Sequence, residues 1–102
     1  LMYYLSLIYI ETGKLSEAEH LLKQIISVNP KQVNAFLNLA TVYLKQKKLK
    51  EALNIYDEIL QFTSEVPEIY IYATEAAIDL KDYQRARHTL KMLYQDFLKI
   101  QM

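Results

Sequence analysis

A period of 34 residues constrains this chain more than any other feature of its sequence. The same seven positions carry apolar or small residues three times at that interval, with no insertion or deletion between copies. The positions are Met2, Leu5, Ser6, Tyr9, Ala18, Leu22 and Ile25; then Phe36, Leu39, Ala40, Tyr43, Ala52, Tyr56 and Ile59; and finally Tyr70, Ala73, Thr74, Ala77, Ala86, Leu90 and Leu93. Three periods account for all 102 residues, so the sequence predicts three similar units in a row.

Composition and spacing indicate that each unit consists of two helices. A single Gly and two Pro leave few turn residues, while 52% of the residues are apolar, which favours helices with short connections. Gly13 suits a tight reversal and Asn29-Pro30 suits a helix end, whereas Lys47 stands where Gly would be less strained. Pro67 fits a first helical turn, and Asp82 is suited to cap the last helix. We predict helices over 1–12, 15–28, 32–46, 49–62, 67–80 and 83–98.

The sizes of the recurring residues predict how the helices pack. Small residues such as Ala40 and Ala52 face each other within a pair, which lets the two helix axes approach to about 8–10 Å. Large residues, among them Tyr9, Tyr43 and Tyr56, would fill the wedge between one pair and the next. The pattern therefore predicts an all-α fold of antiparallel helix pairs that stack side by side.

The recurring residues resemble the tetratricopeptide repeat, whose signature is an aromatic residue, Leu, a small residue and Tyr, followed by Ala, an aromatic residue and Pro. The middle copy matches best, through Phe36, Leu39, Ala40, Tyr43, Ala52 and Tyr56. The third copy departs at Ala77 and Leu98. The resemblance implies an alpha-alpha superhelix, a right-handed solenoid, with repeats at 1–32, 33–66 and 67–102. We expect these to belong to a longer array, because the first helix begins without a capping residue.

The resemblance also implies a function. Repeats of this type are generally noncatalytic scaffolds that hold a peptide or helix of a partner protein in a concave groove lined by the first helix of each pair. Carried over to this chain, the groove would be lined by Tyr3, Leu7, Ile10, Asn34, Leu37, Asn38, Thr41, Lys45, Glu68, Ile71, Tyr72, Glu75 and Asp79. Its apolar members favour a partner with apolar anchors. Glu68, Glu75 and Asp79 favour basic flanks on that partner.

Other uses of the same scaffold are weighed against this one. A subclass of the family grips acidic chaperone tails with a clamp of Lys, Asn and Arg; here only Asn38 matches, while Tyr3, Leu7, Glu68 and Tyr72 occupy the other places, so we do not expect that function. The groove could instead hold segments of the protein's own chain. Self-association through the exposed ends of the stack, and a regulatory role within a larger enzyme, remain alternatives.

Residues that would support catalysis or a cofactor are scarce. The chain has no Cys, which excludes disulfides, thiolate metal sites and cysteine nucleophiles. His20 and His88 lie two whole periods apart and cannot share a metal, and Gly13 alone cannot form a phosphate-binding loop. A serine nucleophile needs a His within hydrogen-bond reach and a carboxylate behind it. Ser6 is instead a packing residue, and Ser16, Ser27 and Ser64 sit near helix ends, so we expect no triad. We expect no enzyme activity, no metal and no cofactor.

Charge is balanced overall but uneven along the chain. Seven Lys and three acids give residues 1–50 a net charge of +4, and residues 51–102 carry −4. The cluster of Lys45, Lys47, Lys48 and Lys50 is followed by seven acids and no base between Glu51 and Leu80, so we interpret it as a solvated turn and expect no nucleic-acid binding. The ten-residue apolar start is too short for a membrane span, which needs about 20 residues. We expect no span and a cytoplasmic location.

Overall fold

Six α-helices make up the computed structural model, which describes residues 2–63 and 65–95. They are α1 Met2–Glu11, α2 Leu15–Val28, α3 Val33–Lys45, α4 Leu49–Phe62, α5 Pro67–Asp79 and α6 Tyr83–Leu93. Each predicted helix is confirmed, with ends that differ by a residue or two where they are described. The predicted continuation of the last helix to residue 98 lies outside the described residues.

Three turns of one design connect the helices within each pair. Gly13, Lys47 and Lys81 all adopt the left-handed backbone conformation, with φ of 80°, 62° and 63°. In the second pair the amide of Lys48 donates to the carbonyl of Tyr43 at 2.8 Å, the long-range bond of a Schellman ending. The amides of Lys14 and Asp82 make the equivalent bonds. The strain predicted at Lys47 is confirmed, and Lys81 shares it.

The helices stack in chain order. Each one packs against the next, α1 also contacts α3, and no substantial packing joins α1 to α5 or α6 within the described residues. The molecule is correspondingly elongated, at 43 × 26 × 18 Å. A closed bundle would bring the first and last helices together, so the predicted open alpha-alpha superhelix is confirmed.

The recurring small and large residues occupy the places that the pattern predicts. Ala18, Ala40 and Ala52 are completely buried between paired helices. Ser6 holds the equivalent place in α1 and is also fully buried, where its hydroxyl donates to the carbonyl of Tyr3. Small side chains here permit the close approach of helix axes that stacking requires.

One part of the packing prediction is wrong. The recurrence of Met2 and Leu5 at core positions of the repeat predicts that both are buried in the first helix, yet both are about two-fifths exposed. Their counterparts in the second pair, Phe36 and Leu39, are buried because α2 packs against α3. In α1 these residues lie on the side away from the second pair, so no described helix covers them.

The turns provide a test of backbone strain. Replacing Lys47 with Gly should raise the free energy of unfolding by about 0.5–1 kcal/mol, since relief of left-handed strain exceeds the added flexibility of the unfolded chain. The matched reverse change, Gly13→Ala, should lower it by about 1 kcal/mol through backbone strain alone, because an added Cβ meets no atom within 4 Å. Urea denaturation measures both; a loss of stability in Lys47→Gly would contradict this account.

The start of α6 provides a second test. The carboxylate of Asp82 accepts a hydrogen bond from the amide of Arg85 at 3.2 Å, which confirms the predicted cap. Lys14 stands at the same place before α2 and makes no such side-chain bond. Asp82→Ala should therefore cost about 1 kcal/mol of unfolding free energy, while Lys14→Ala should cost little. Equal losses in the two variants would show that capping is not the cause.

Candidate protein-binding groove

The predicted groove residues belong to α1, α3 and α5, the first helices of the three pairs. Most of them keep surface that water or a partner can reach. Those on α5 and at the ends of α3 are exposed. Those in the middle of α3 and on α1 are partly buried, apart from Ile10, which is buried. The exposed members are Asn34, Lys45, Glu68, Ile71, Tyr72, Glu75 and Asp79, and the partly buried members are Tyr3, Leu7, Leu37, Asn38 and Thr41.

Ile10 differs from the rest of the set. It is buried in the hydrophobic core, whereas Leu44 and Ile78, one and two periods later, are exposed. A buried side chain offers a partner almost no contact area, so Ile10 supports the wall of the groove from behind. Ile10 therefore lies outside the exposed surface of the groove.

A hydrogen bond joins the first two walls of the groove. The side-chain amide of Asn38 on α3 donates to the hydroxyl of Tyr3 on α1 at 2.9 Å. Both side chains are half-buried, so the bond is only partly exposed to competing water. It links two predicted site residues 35 positions apart in the sequence and ties the position of α1 to that of α3.

Apolar side chains on α3 and α5 supply the contact surface. Leu37 is partly buried, while Ile71 and Tyr72 each expose about two-fifths of their area. The ring of Tyr72 lies 6.0 Å from that of Tyr56 on α4, at an interplanar angle of 35°. Because Tyr56 is itself buried, this contact holds Tyr72 against a fixed support while its outer side stays open.

The α5 end of the groove is acidic. Glu68, Glu75 and Asp79 are all exposed, and α5 carries no basic residue. The pKa of the Tyr56 phenol is raised to about 12, mainly by burial and to a smaller extent by the nearby Tyr72 and Glu75. The electrostatic field of these acids therefore favours a cation beside α5.

Two polar contacts between successive pairs are not evident from the sequence pattern. At the junction of α2 and α3, the hydroxyl of Tyr43 donates to Glu19 at 3.4 Å, and Lys23 forms an ion pair with Glu19 at 2.9 Å. The hydrogen bond from Lys23 is the main cause that lowers the pKa of Glu19. On the opposite side from the groove helices, Arg85 on α6 forms an ion pair with Asp57 on α4.

The same α4 and α6 residues line a cleft of about 660 Å³. Gln61, His88 and Thr89 contribute to its walls together with the ion pair. No group of three or more His, Asp or Glu residues is placed to hold a metal in the parts of the chain that the structure describes. Among the described helices, none has the length and apolar content that crossing a membrane requires.

Comparisons with known proteins agree with this architecture. Ycf37, an uncharacterized protein of Pyropia yezoensis, is 41% identical over 56 residues, which cover 55% of this chain and 32% of that protein. The TPR repeat-containing protein YpiA of Bacillus subtilis is 24% identical over 94 residues, covering 92% of this chain and 22% of that protein. The chain thus spans about a third or less of the length of these curated relatives.

Solved structures share the fold over nearly the whole chain. A tetratricopeptide repeat protein from Parabacteroides merdae superimposes with a TM-score of 0.85 at 24% identity, covering 97% of this chain and 39% of that one. PcrH, solved in complex with the chaperone binding region of PopD, gives 0.80 at 18% identity, covering 92% and 71%. The sequence profile of the tetratricopeptide repeat matches residues 9–65. The chain therefore belongs to the tetratricopeptide repeat family.

Proposed function

We propose that this chain is a noncatalytic scaffold that holds a segment of a partner protein along α3 and α5. The observation that carries the proposal is the surface of α5, where exposed Ile71 and Tyr72 stand beside exposed Glu68, Glu75 and Asp79. An apolar patch bordered by charge of one sign suits a ligand with apolar anchors and opposite charge at its flank.

Apolar contact supplies most of the expected affinity. Leu37, Ile71 and Tyr72 lie on neighbouring first helices and keep part of their surface in water. Covering a side chain of this size stabilises a complex by about 1.5–3 kcal/mol when burial is complete. Because Tyr72 is already supported by Tyr56, little side-chain freedom is lost when a ligand packs on it.

Charge sets the expected direction of the ligand. The acids of α5 favour Lys or Arg at one end of the bound segment, while Lys45 at the end of α3 is exposed and favours an acid near it. Such contacts act chiefly on the rate of encounter and on specificity. They weaken as salt rises, since all these groups are in contact with solvent.

A protein of the same fold supports the general role. PcrH was solved with the chaperone binding region of PopD, so this fold can hold a segment of another protein. At 18% sequence identity, the similarity between PcrH and this chain is limited to the fold. The chemistry of the ligand proposed for this chain rests on its own side chains.

Two helix-forming peptides with the same Leu and Phe anchors, one flanked by Lys and one by Glu, provide the test. We expect the Lys-flanked peptide to bind several-fold more tightly at low salt, as measured by fluorescence anisotropy. Tyr72→Asn, which copies the residue that the second repeat has at this position, should weaken both peptides about tenfold through lost burial. Leu37→Asn should act in the same way.

Charge variants test the second half of the proposal. Glu75→Gln with Asp79→Asn should reduce the preference for the Lys-flanked peptide about threefold to tenfold and leave the Glu-flanked peptide no weaker. Glu58→Gln changes an exposed acid on α4 and serves as the control. Binding that is unaffected by the changes at Leu37 and Tyr72, or no binding of either peptide to the original chain, would contradict the proposal.

A further inference from the structure

The first helices of successive pairs meet differently at the two junctions within the groove. α1 packs against α3, and the hydrogen bond from Asn38 to Tyr3 crosses between them. No comparable packing joins α3 to α5, both of which the structure describes in full, although α4 packs against each of them. The second junction is therefore a slot between two helices that lie side by side, with α4 as its floor. We call it the α3–α5 slot.

The first junction indicates which residues line this slot. Tyr3 reaches forward from α1, and Asn38 reaches back from α3 to meet it. One period later the same two positions are held by Leu37 on α3 and Tyr72 on α5. Leu37 is partly buried and Tyr72 is 42% exposed. Two apolar side chains thus face each other where the first junction has a hydrogen bond.

Leu44 extends the wall that Leu37 begins. It follows Leu37 by seven residues, which is close to two helical turns, so both side chains lie on the same face of α3. At 1.5 Å per residue they are about 10.5 Å apart along the helix. Leu44 is 37% exposed and is not one of the predicted groove residues. The slot therefore has two apolar contact points on one wall and Tyr72, supported by the buried Tyr56, on the other.

The slot does not arise from an end of the stack. α3 packs between α2 and α4, and α5 packs between α4 and α6. Further helix pairs would stack beyond α1 or beyond α6, and in either place they would leave both walls and the floor of the slot as they are.

The spacing of the two leucines distinguishes between two shapes of ligand. An extended segment that lies along the slot presents a side chain to the same wall every second residue, at about 6.7 Å and then about 13.4 Å. Neither distance matches the spacing of Leu37 and Leu44. An α-helix that lies along the slot repeats its own face after seven residues, which is again about 10.5 Å. A helix can therefore place one apolar side chain beside each leucine.

Hydrogen bonding favours the same shape. An extended segment needs polar partners for its backbone, including donors for its carbonyl groups. On the α3 wall, Asn38 already donates to Tyr3, and the hydroxyl of Thr41 donates to the carbonyl of Leu37 at 3.0 Å. On the α5 wall, Glu75 carries a carboxylate, which only accepts. The walls thus offer few donors to an extended segment, whereas a helix satisfies its own backbone.

Charge determines which side of a bound helix is basic. The pKa of the Tyr56 phenol, raised mainly by burial, is raised further by Glu75, which places that exposed carboxylate near the floor of the slot. On the α3 wall, Lys45 is exposed next to Leu44. A helix in the slot is therefore favoured when Lys or Arg lies on the side that faces α5 and not on the side that faces α3.

We propose that the partner segment binds as an amphipathic α-helix laid lengthwise in the α3–α5 slot. Two apolar side chains seven residues apart contact Leu37 and Leu44, an apolar side chain between them packs on Tyr72, and basic residues face Glu75. This inference rests on the proposed function. It adds the shape of the ligand, and it adds Leu44 as a contact residue.

Three peptides test the shape of the ligand by fluorescence anisotropy. Two have the same composition, with apolar residues at helical spacing in the first and at every second residue in the alternating peptide. The third is the first peptide with Pro at a central position of its polar face. The first should bind at least about tenfold more tightly than the alternating peptide, and Pro should weaken it by a similar factor because it breaks the helix. Far-ultraviolet circular dichroism should show more helix in the mixture of protein and first peptide than in the separate components.

Two matched variants test the contact at Leu44. Leu44→Asn should weaken the first peptide about threefold to tenfold through lost burial. Ile78 holds the same repeat position on α5 and is also exposed, but one period of translation places it on the side of α5 away from α3. Ile78→Asn should therefore leave the affinity unchanged, and both variants should keep the helix content of the original chain.

A failure of the helical ligand differs from a failure of the scaffold. The helical ligand is overturned if the alternating peptide binds as tightly as the first peptide, or if Leu44→Asn acts no more strongly than Ile78→Asn. In both cases the proposed function stands as long as Leu37→Asn and Tyr72→Asn still weaken binding. If none of the three peptides binds, both proposals are overturned.

Discussion

The packing of one helix pair onto the next is the interaction on which the rest of this structure depends. A pair of helices has two apolar sides, and closing the pair buries only one of them. The second side is covered when another pair stacks upon it, as α2 covers Phe36 and Leu39 on α3. The stability of each unit is therefore shared with its neighbours, in the way that is general for repeat proteins.

This shared burial also shapes the groove. A first helix such as α3 lies between the second helix of its own pair and that of the preceding pair. Two sides of the helix are therefore buried in the core. A narrow strip that includes Leu37 and Asn38 is left for other contacts. The strip is open on α5, where Ile71 and Tyr72 are exposed, and is narrowed near α1 by the Tyr3 to Asn38 hydrogen bond.

Local rules were enough to predict the helices and several of their ends from the sequence. Asp82 caps α6 and Lys47 adopts a strained turn, and both follow from the chemistry of single residues. The 34-residue period does not show which helix, if any, packs against a residue in each of the three repeats. Leu5 and Leu39 are the same residue at the same repeat position, yet one is exposed and the other buried.

Contacts between pairs were harder still to predict. Ile10 is buried while its counterparts Leu44 and Ile78 are exposed, a difference that the residue types alone do not indicate. The Asp57 to Arg85 ion pair joins helices of different repeats. It can be recognised only when the packing of one repeat on the next is known. The groove chemistry itself remains a prediction from the sequence, since side-chain exposure shows what is available and not what binds.

The common geometry of the three hairpin turns has a consequence for how such an array can change. Gly13, Lys47 and Lys81 adopt the same backbone conformation although only one of them is glycine. The packing of the helices on either side, and not the residue in the turn, therefore imposes the shape. Mutation can therefore exchange these turn residues at a modest cost in stability. The surface at the turns can gain or lose positive charge in this way while the core stays unaltered.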